Sequence, residues 1–231
     1  MRTPESERRQ RVFVVPESSA RWLYASATFH TEAAVLERAL LLFETEGRLV
    51  DRQIAERSPS MTQLVACCLV RRGDDLLCVR RSRKSERDCL RLAYTLLFGG
   101  HADEQDGCSL SGLEMCTRRE LAEELGLGLP DEHKFSLLGI AADPDTESGA
   151  QHLGIVFETE VRADAIQISS RHDFAEFVGA GRSSTLGFTS IEEVFHIYDQ
   201  LDPWSSLVVS NHLAAAAGRA KPCHQMMLAF G

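Results

Sequence analysis

Apolar residues first cluster along the chain at Val12 to Val15, a short β-like run closed by Pro16. The stretch Thr31 to Glu44 has helical spacing, with Thr31 as its cap, Ala34, Leu36, Leu40, Leu41 and Phe43 as much of its apolar surface, and Gly47 as its end. Asp51 to Ser60 is polar and predicts irregular chain. From Thr62 the pattern changes to strands. Gln63 to Val70 is almost continuously apolar, Arg71 to Asp75 turns around Gly73, and Leu76 to Val79 returns, which together predict a hairpin. A charged loop, Ser82 to Asp88, leads to a further strand from Leu92 to Leu97 that runs into a tight turn at Gly99-Gly100. Beyond a helix that ends near Gly126, Phe135 to Ala141 and His152 to Val161 read as strands around the acidic loop Asp143 to Glu147. Ser190 to Gln200 and Pro203 to Ala217 read as helical.

A mixed sheet between helices is the architecture such a mixture favours, an α/β fold. The division expected is an N-terminal appendage over residues 1–61, a main domain over 62–217 and a tail over 218–231. The appendage covers the sheet, forms a homodimer contact or tunes specificity; covering is the plain reading. No internal repeat is visible.

Composition narrows the function classes. The chain has 231 residues, 44% apolar and 26% charged, enough for one good core with a small addition. A net charge of −9 disfavours an extended nucleic-acid surface, which would need many Lys and Arg to neutralise phosphates. A small phosphorylated ligand stays compatible, since a bound cation inverts the local sign. Met1 to Arg11 lacks an apolar run, and no stretch approaches the ~20 apolar residues that cross a bilayer, so no membrane partner and a cytoplasmic location are expected. Seven cysteines, Cys67, Cys68, Cys78, Cys89, Cys108, Cys116 and Cys223, include no C-x-x-C pair and read as reduced thiols.

The chemistry concentrates in Arg119-Glu120-Leu121-Ala122-Glu123-Glu124-Leu125-Gly126-Leu127. At ~100° per residue, Glu120, Glu123 and Glu124 fall within an arc of roughly 100°, with Ala122 and Leu125 pointing away toward a core. Gly126 ends the helix, so three anions stand at the negative end of its dipole, against local electrostatics. A solvated acidic face is the bland explanation, because like charges at i,i+4 cost only about 0.2–0.5 kcal/mol. A half-buried trio is another matter: two carboxylates ~5 Å apart at an effective dielectric near 20 repel by roughly 3 kcal/mol, a penalty a divalent cation removes. Arg119, four residues before Glu123, can orient one or two of them. Upstream, paired glycines permit close backbone approach to a ligand.

Strand, Gly-Gly, loop, and a helix bearing Arg-Glu-x-x-x-Glu-Glu-x-Gly resemble the Nudix family, whose box reads Gly, five residues, Glu, seven residues, Arg-Glu-apolar-x-Glu-Glu-x-Gly-apolar. Residues 119–127 match the second half completely, and Gly100 matches the opening glycine. Five residues later Asp106 stands where the family has Glu, and twelve residues, 107–118, then precede Arg119 in place of seven. Counting back from Arg119 by the usual spacing reaches Ser111. Either the loop is about five residues longer, or the first acidic position is absent. The resemblance spans roughly residues 62–210. Val14-Val15-Pro16, Gly-Gly-His and Asp202-Pro203-Trp204-Ser205 also resemble a bacterial subset of Nudix hydrolases.

The resemblance implies an α/β/α sandwich and Mg²⁺-dependent cleavage, with Mn²⁺ a substitute, of the pyrophosphate link in a nucleoside diphosphate joined to another group. It implies Glu120, Glu123 and Glu124 as catalytic and metal-site carboxylates, the Gly99 carbonyl as a further ligand and Arg119 as an orienting residue. Gly100 and His101 are candidates to meet the phosphate. The base acting on water is one of the three box acids or a carboxylate from outside the box, such as Glu158, Glu160, Glu192 or Glu193. Trp204 or Phe98 could stack on a base, although Trp204 reads more simply as core packing. Two other functions remain in view: an isoprenoid diphosphate isomerase on the same fold, for which no cysteine has a recognisable context, and a non-catalytic ligand sensor. Gly179-Ala-Gly181-Arg-Ser-Ser lacks the lysine of a P-loop, and no Gly-x-Ser-x-Gly elbow is present.

Overall fold

The computed structural model describes residues 10–81, 92–146, 149–162, 174–177 and 187–218. The charged loop at 82–88, the glycine-containing segment at 179–184, Cys89, Cys223 and the tail beyond 218 lie outside the described residues.

The strands are β1 Arg11–Pro16, β2 Thr28–His30, β3 Arg48–Asp51, β4 Met61–Arg72, β5 Asp75–Leu77, β6 Val79–Arg81, β7 Tyr94–Thr95, β8 Leu97–His101, β9 Ser136–Ala142, β10 His152–Glu160, β11 Phe174–Phe177 and β12 Phe188–Ser190. The helices are α1 Glu17–Ala20, α2 Ala33–Glu46, α3 Arg52–Glu56, α4 Leu110–Leu125, α5 Ile191–His196, α6 Pro203–Val208 and α7 Ala214–Ala216. Among the described residues, one nine-stranded sheet runs β12-β5-β4-β10-β9-β2, with β1 and β8 also paired to β4 and β3 to β1. The β4–β10 pair is parallel; the others in this sheet are antiparallel. A small second sheet joins β11, β6 and β7.

β4 is apolar without alternation because both of its faces are buried. Leu64, Ala66, Cys68 and Val70 pack on one side with Phe43 of α2 and Leu113, Leu121 and Leu125 of α4. Val65, Cys67 and Leu69 pack on the other with Val194 of α5, Val208 of α6 and Leu213. Helices therefore cover both faces of a mixed sheet, and the α/β/α expectation holds. No helix among the described residues is long and apolar enough to cross a membrane.

The structure departs from the expectations in several places. The segment before residue 62 is woven into the sheet, through β1 on β4 and β2 on β9. Helix α2 starts at Ala33 behind Glu32, with no side-chain cap from Thr31, and it buries Ala39 and Phe43 while Leu41 stays 61% exposed. The polar stretch after Asp51 folds as α3, because the Asp51 carboxylate accepts from the Gln53 N–H and nucleates a turn. The strand expected over 92–97 breaks at Leu96 into β7 and β8. The C-terminal helical stretch contains a π-helical turn, Val209–Leu213.

Candidate active site

Gly99 and Gly100 lie inside β8, opposite Cys67 and Ala66 of β4, and make no tight turn. Both glycines are required by close approach. A Cβ at residue 99 would sit 2.0 Å from the Ala66 carbonyl oxygen, and one at residue 100 would sit 2.6–2.8 Å from the carboxylate atoms of Glu120. Gly100 thus makes room for a helix that crosses the strand and Gly99 for the main chain of β4, which no turn rule could reveal.

That helix is α4. The Ser109 hydroxyl caps its start by accepting from the Gly112 N–H at 3.2 Å, and Gly126 ends it in the left-handed conformation, φ 68°. The Gly126 N–H reaches the Ala122 carbonyl and the Leu127 N–H reaches the Leu121 carbonyl, which closes the last turn. Leu113, Leu121 and Leu125 are buried, and Ala122, expected to face the core, is exposed. The helix is rotated so that Leu121 takes the inward place beside Leu125. Glu120, Glu123 and Glu124 remain half-buried, with Glu120 and Glu124 against β8.

Glu124 is tied directly to the strand: its Oε2 accepts the Gly99 N–H at 3.0 Å. In an antiparallel pair a residue's N–H and C=O point to the same side, so the Gly99 carbonyl opens on the same free edge of β8. Glu120 rests against Gly100 and accepts from Arg119 Nη1 at 2.5 Å. Glu123, its side chain 34% exposed, lies 3.7 Å from the same guanidinium nitrogen.

Arg119 is held from behind. Asp106 Oδ1 accepts from Nε at 3.2 Å and Oδ2 from Nη2 at 2.7 Å, a two-pronged pair; the His101 carbonyl takes Nη2 at 3.3 Å. Asp103 stands 3.9 Å away, and its main chain braces Asp106 through the Asp103 N–H, 3.0 Å from Asp106 Oδ2. Burial by itself lowers the pKa of Arg119, but the bond from Asp106 and the charge of Glu120 outweigh it and hold the pKa above the ordinary value. Asp106 thus supplies Arg119 with an acidic partner from the loop that precedes the helix, as the longer-loop alternative would have it. Cys116 is buried, its Sγ 3.6 Å from the Gly100 carbonyl, and burial followed by the charge of Asp106 raises its pKa well above the usual thiol range. It is a packing thiol rather than a nucleophile.

The other candidates lie elsewhere. Glu158 is paired with Arg71, and Glu193 closes the capping box of α5 with Ser190. Glu160 and Glu192 are exposed. The His101 ring lies on the sheet face away from α4 and stands edge-on to His152, with centroids 5.3 Å apart. Phe98 is fully buried, and Trp204 packs across Gly154.

A family model described as NUDIX domain matches residues 61–207, more than half of the chain. The chain belongs to the Nudix family. Among curated proteins, the Nudix chain is 24% identical over 183 residues to protein YmaB of Bacillus subtilis (strain 168), which covers 78% of this chain and 85% of that protein. Among solved structures it is similar to Tm1382, described as a candidate Nudix hydrolase, with a TM-score of 0.65 and 19% identity over 89% of this chain and 100% of the other. That likeness shows the shared fold.

The donors at the Gly99-Gly100 edge of this Nudix chain are oxygens, the carboxylates of Glu120 and Glu124 and the Gly99 carbonyl, with the Glu123 carboxylate 3.7 Å from the Arg119 nitrogen that also holds Glu120. Oxygen donors of this kind suit a hard divalent cation. Among the described residues no three His, Cys, Asp or Glu groups form a ready-made ion cage. Glu120 and Glu124 instead each engage a protein N–H donor through one carboxylate oxygen. The carboxylate pressed on Gly100, where a Cβ would otherwise stand, and the Glu124 bond to Gly99 fix two acids against one strand edge, which fits such a cation.

Proposed function

We propose that the chain is a Nudix pyrophosphohydrolase that cleaves the pyrophosphate link of a nucleoside diphosphate joined to a second group, with Mg²⁺ or, in its place, Mn²⁺. The observation that carries this reading is the convergence of Glu120 and Glu124 on successive residues of β8, with Arg119 clamped behind them by Asp106. Glu120, Glu123 and Glu124 would hold the cation with the Gly99 carbonyl. When bound, it would supply charge neutralisation for the diphosphate and acidify a coordinated water.

The protein contributes order. Asp106 fixes the guanidinium, which keeps the Glu120 carboxylate turned toward Gly100, while the Gly99 N–H holds Glu124 in place; no reorganisation of these groups is then needed when substrate charge arrives. Glu158 is committed to Arg71 and Glu193 to a helix cap, which favours one of the three box carboxylates over these two for removal of the water proton. Gly100, against which the Glu120 carboxylate rests, would meet the phosphate side of the ligand, while the His101 ring faces the opposite side of the sheet.

The test is nucleotide or phosphate release with Mg²⁺ from a panel of dinucleotides, nucleotide sugars and nucleoside triphosphates, with Glu124→Gln alongside. Release by the wild-type protein that falls at least about 100-fold in the variant supports the reading. Equal traces from both proteins overturn it and favour a non-catalytic ligand sensor.

A further inference from the structure

Gln63 is wholly buried, and neither its amide oxygen nor its amide nitrogen has a hydrogen-bond partner. Buried polar side chains are nearly always satisfied, so an amide left this way in a sheet interior is costly and calls for an occupant with matching groups. Its place in the fold indicates which kind.

Along β4, side chains alternate between the two cores, so Gln63 shares the face of Val65 and Cys67, away from α4. Next to it on β10 is His152, 4% exposed, whose ring meets that of His101 edge-on. The following residue of β10 on this face is Gly154, and the Trp204 ring lies over it: a Cβ there would be 2.8–2.9 Å from ring carbons. On the other side, Val14 of β1 pairs with Gln63 but belongs to a separate small cluster with Val12 and Ala55 of α3. Gln63 therefore sits at a seam between the apolar layer under α6 and the one under α3. The seam is lined by an amide, two imidazoles and an indole, and the half-buried His101 stands toward the free edge of β8.

We propose that this seam is a nucleobase-recognition subsite. The Gln63 amide offers one acceptor and two donors, which suits the donor–acceptor edge of a base, and the rings of His101, His152 and Trp204 suit its flat face. His101 is two residues from Gly99, about 7 Å along the strand, so a base here would project away from a diphosphate at the Gly99-Gly100 edge. The location relative to phosphate rests on the proposed hydrolase reading; recognition of the base does not.

The test is metal-free titration calorimetry of the full chain with AMP, GMP, CMP, UMP and ribose 5-phosphate. Wild type is expected to bind at least one nucleoside monophosphate about tenfold more tightly than ribose 5-phosphate. Gln63→Met, close in length and without the amide, is expected to reduce that preference below about threefold while ribose 5-phosphate affinity and Tm are maintained. Should that variant fail to fold, His101→Ala at a half-buried position is expected to lose the same preference. No preference for any base in wild type, or an undiminished preference in the variants, overturns the proposal. Loss of Mg²⁺-dependent hydrolysis with base preference intact would instead sink the hydrolase reading and leave this one standing.

Discussion

Asp106 holds the guanidinium of Arg119 with both carboxylate oxygens, across a loop of twelve intervening residues, and the two side chains are only 3% and 16% exposed. Removing one partner of such a pair leaves the other charge buried, at a cost of about 3–5 kcal/mol. Asp106→Ala is therefore expected to lower Tm by roughly 6–20 °C, and Asp106→Asn, which keeps the shape and one acceptor, by less. Activity should fall in both, because Arg119 no longer fixes Glu120. Thermal melts beside a hydrolysis assay check this; an Asp106→Ala protein with wild-type Tm and rate would show the clamp to be idle.

The neighbouring glycines separate stability from function. A Cβ at residue 99 meets main chain, the Ala66 carbonyl at 2.0 Å, which cannot yield without parting β8 from β4. A Cβ at residue 100 meets the far end of the Glu120 side chain, which can swing aside. Gly99→Ala is thus expected to unfold or strongly destabilise the protein. Gly100→Ala should keep its fold and lose about 100-fold in rate, since a carboxylate displaced by about 1 Å is enough for that. Circular dichroism melts and initial rates for the two variants decide the point, and a Gly100→Ala protein of undiminished rate contradicts the placing of Glu120.

Long elements were legible in the sequence because their side chains carry the pattern. The apolar run at 63–70 became β4, the strand expected at 135–141 became β9, and the helix before Gly126 ended where its glycine said it would. Short elements were not, since their stability comes from partners rather than from their own residues: β2 is three residues long and exists by pairing with β9, and α3 depends on the Asp51 cap. The box helix disclosed its three glutamates, but periodicity alone could not set its rotation, so Ala122, expected inward, is exposed while Leu121 is buried beside Leu125. Asp106 was ambiguous because spacing is a one-dimensional measure. Gln63 gave no signal, being one polar letter at the start of an apolar run.

A hydrogen-bonded bridge joins α6 to the break at Leu96. The Ser205 hydroxyl accepts the Leu96 N–H at 2.9 Å and donates to Asp202 at 2.6 Å, while the Asp202 N–H reaches the Tyr94 carbonyl. All three of Leu96, Ser205 and Asp202 are buried. Ser205→Ala leaves the Leu96 N–H without an acceptor, at about 1–3 kcal/mol, so Tm is expected to drop by roughly 2–12 °C. Hydrogen exchange should show the Leu96 amide losing protection ahead of Phe98. Uniform protection in the variant would mean that the bridge does not hold β8 at its entry.

His212, in the π-helical turn, stands edge-on to Phe29 with ring centroids 6.2 Å apart. Burial lowers its pKa; Glu158 opposes that and Arg71 adds to it, and the net shift is downward from 6.5. A histidine with a depressed folded-state pKa binds its proton more readily when unfolded, so it costs stability only as pH falls from near 6.5 toward the folded-state value. Above that window its neutral ring carries no penalty. Wild type should therefore lose Tm relative to His212→Phe as pH is lowered from 7.5 to 5, a comparison that cancels the carboxylates common to both proteins. Melting curves at half-unit pH steps measure the difference directly. A gap that stays flat over this range, or that moves in favour of wild type on acidification, would show that the half-buried ring is not the group titrating.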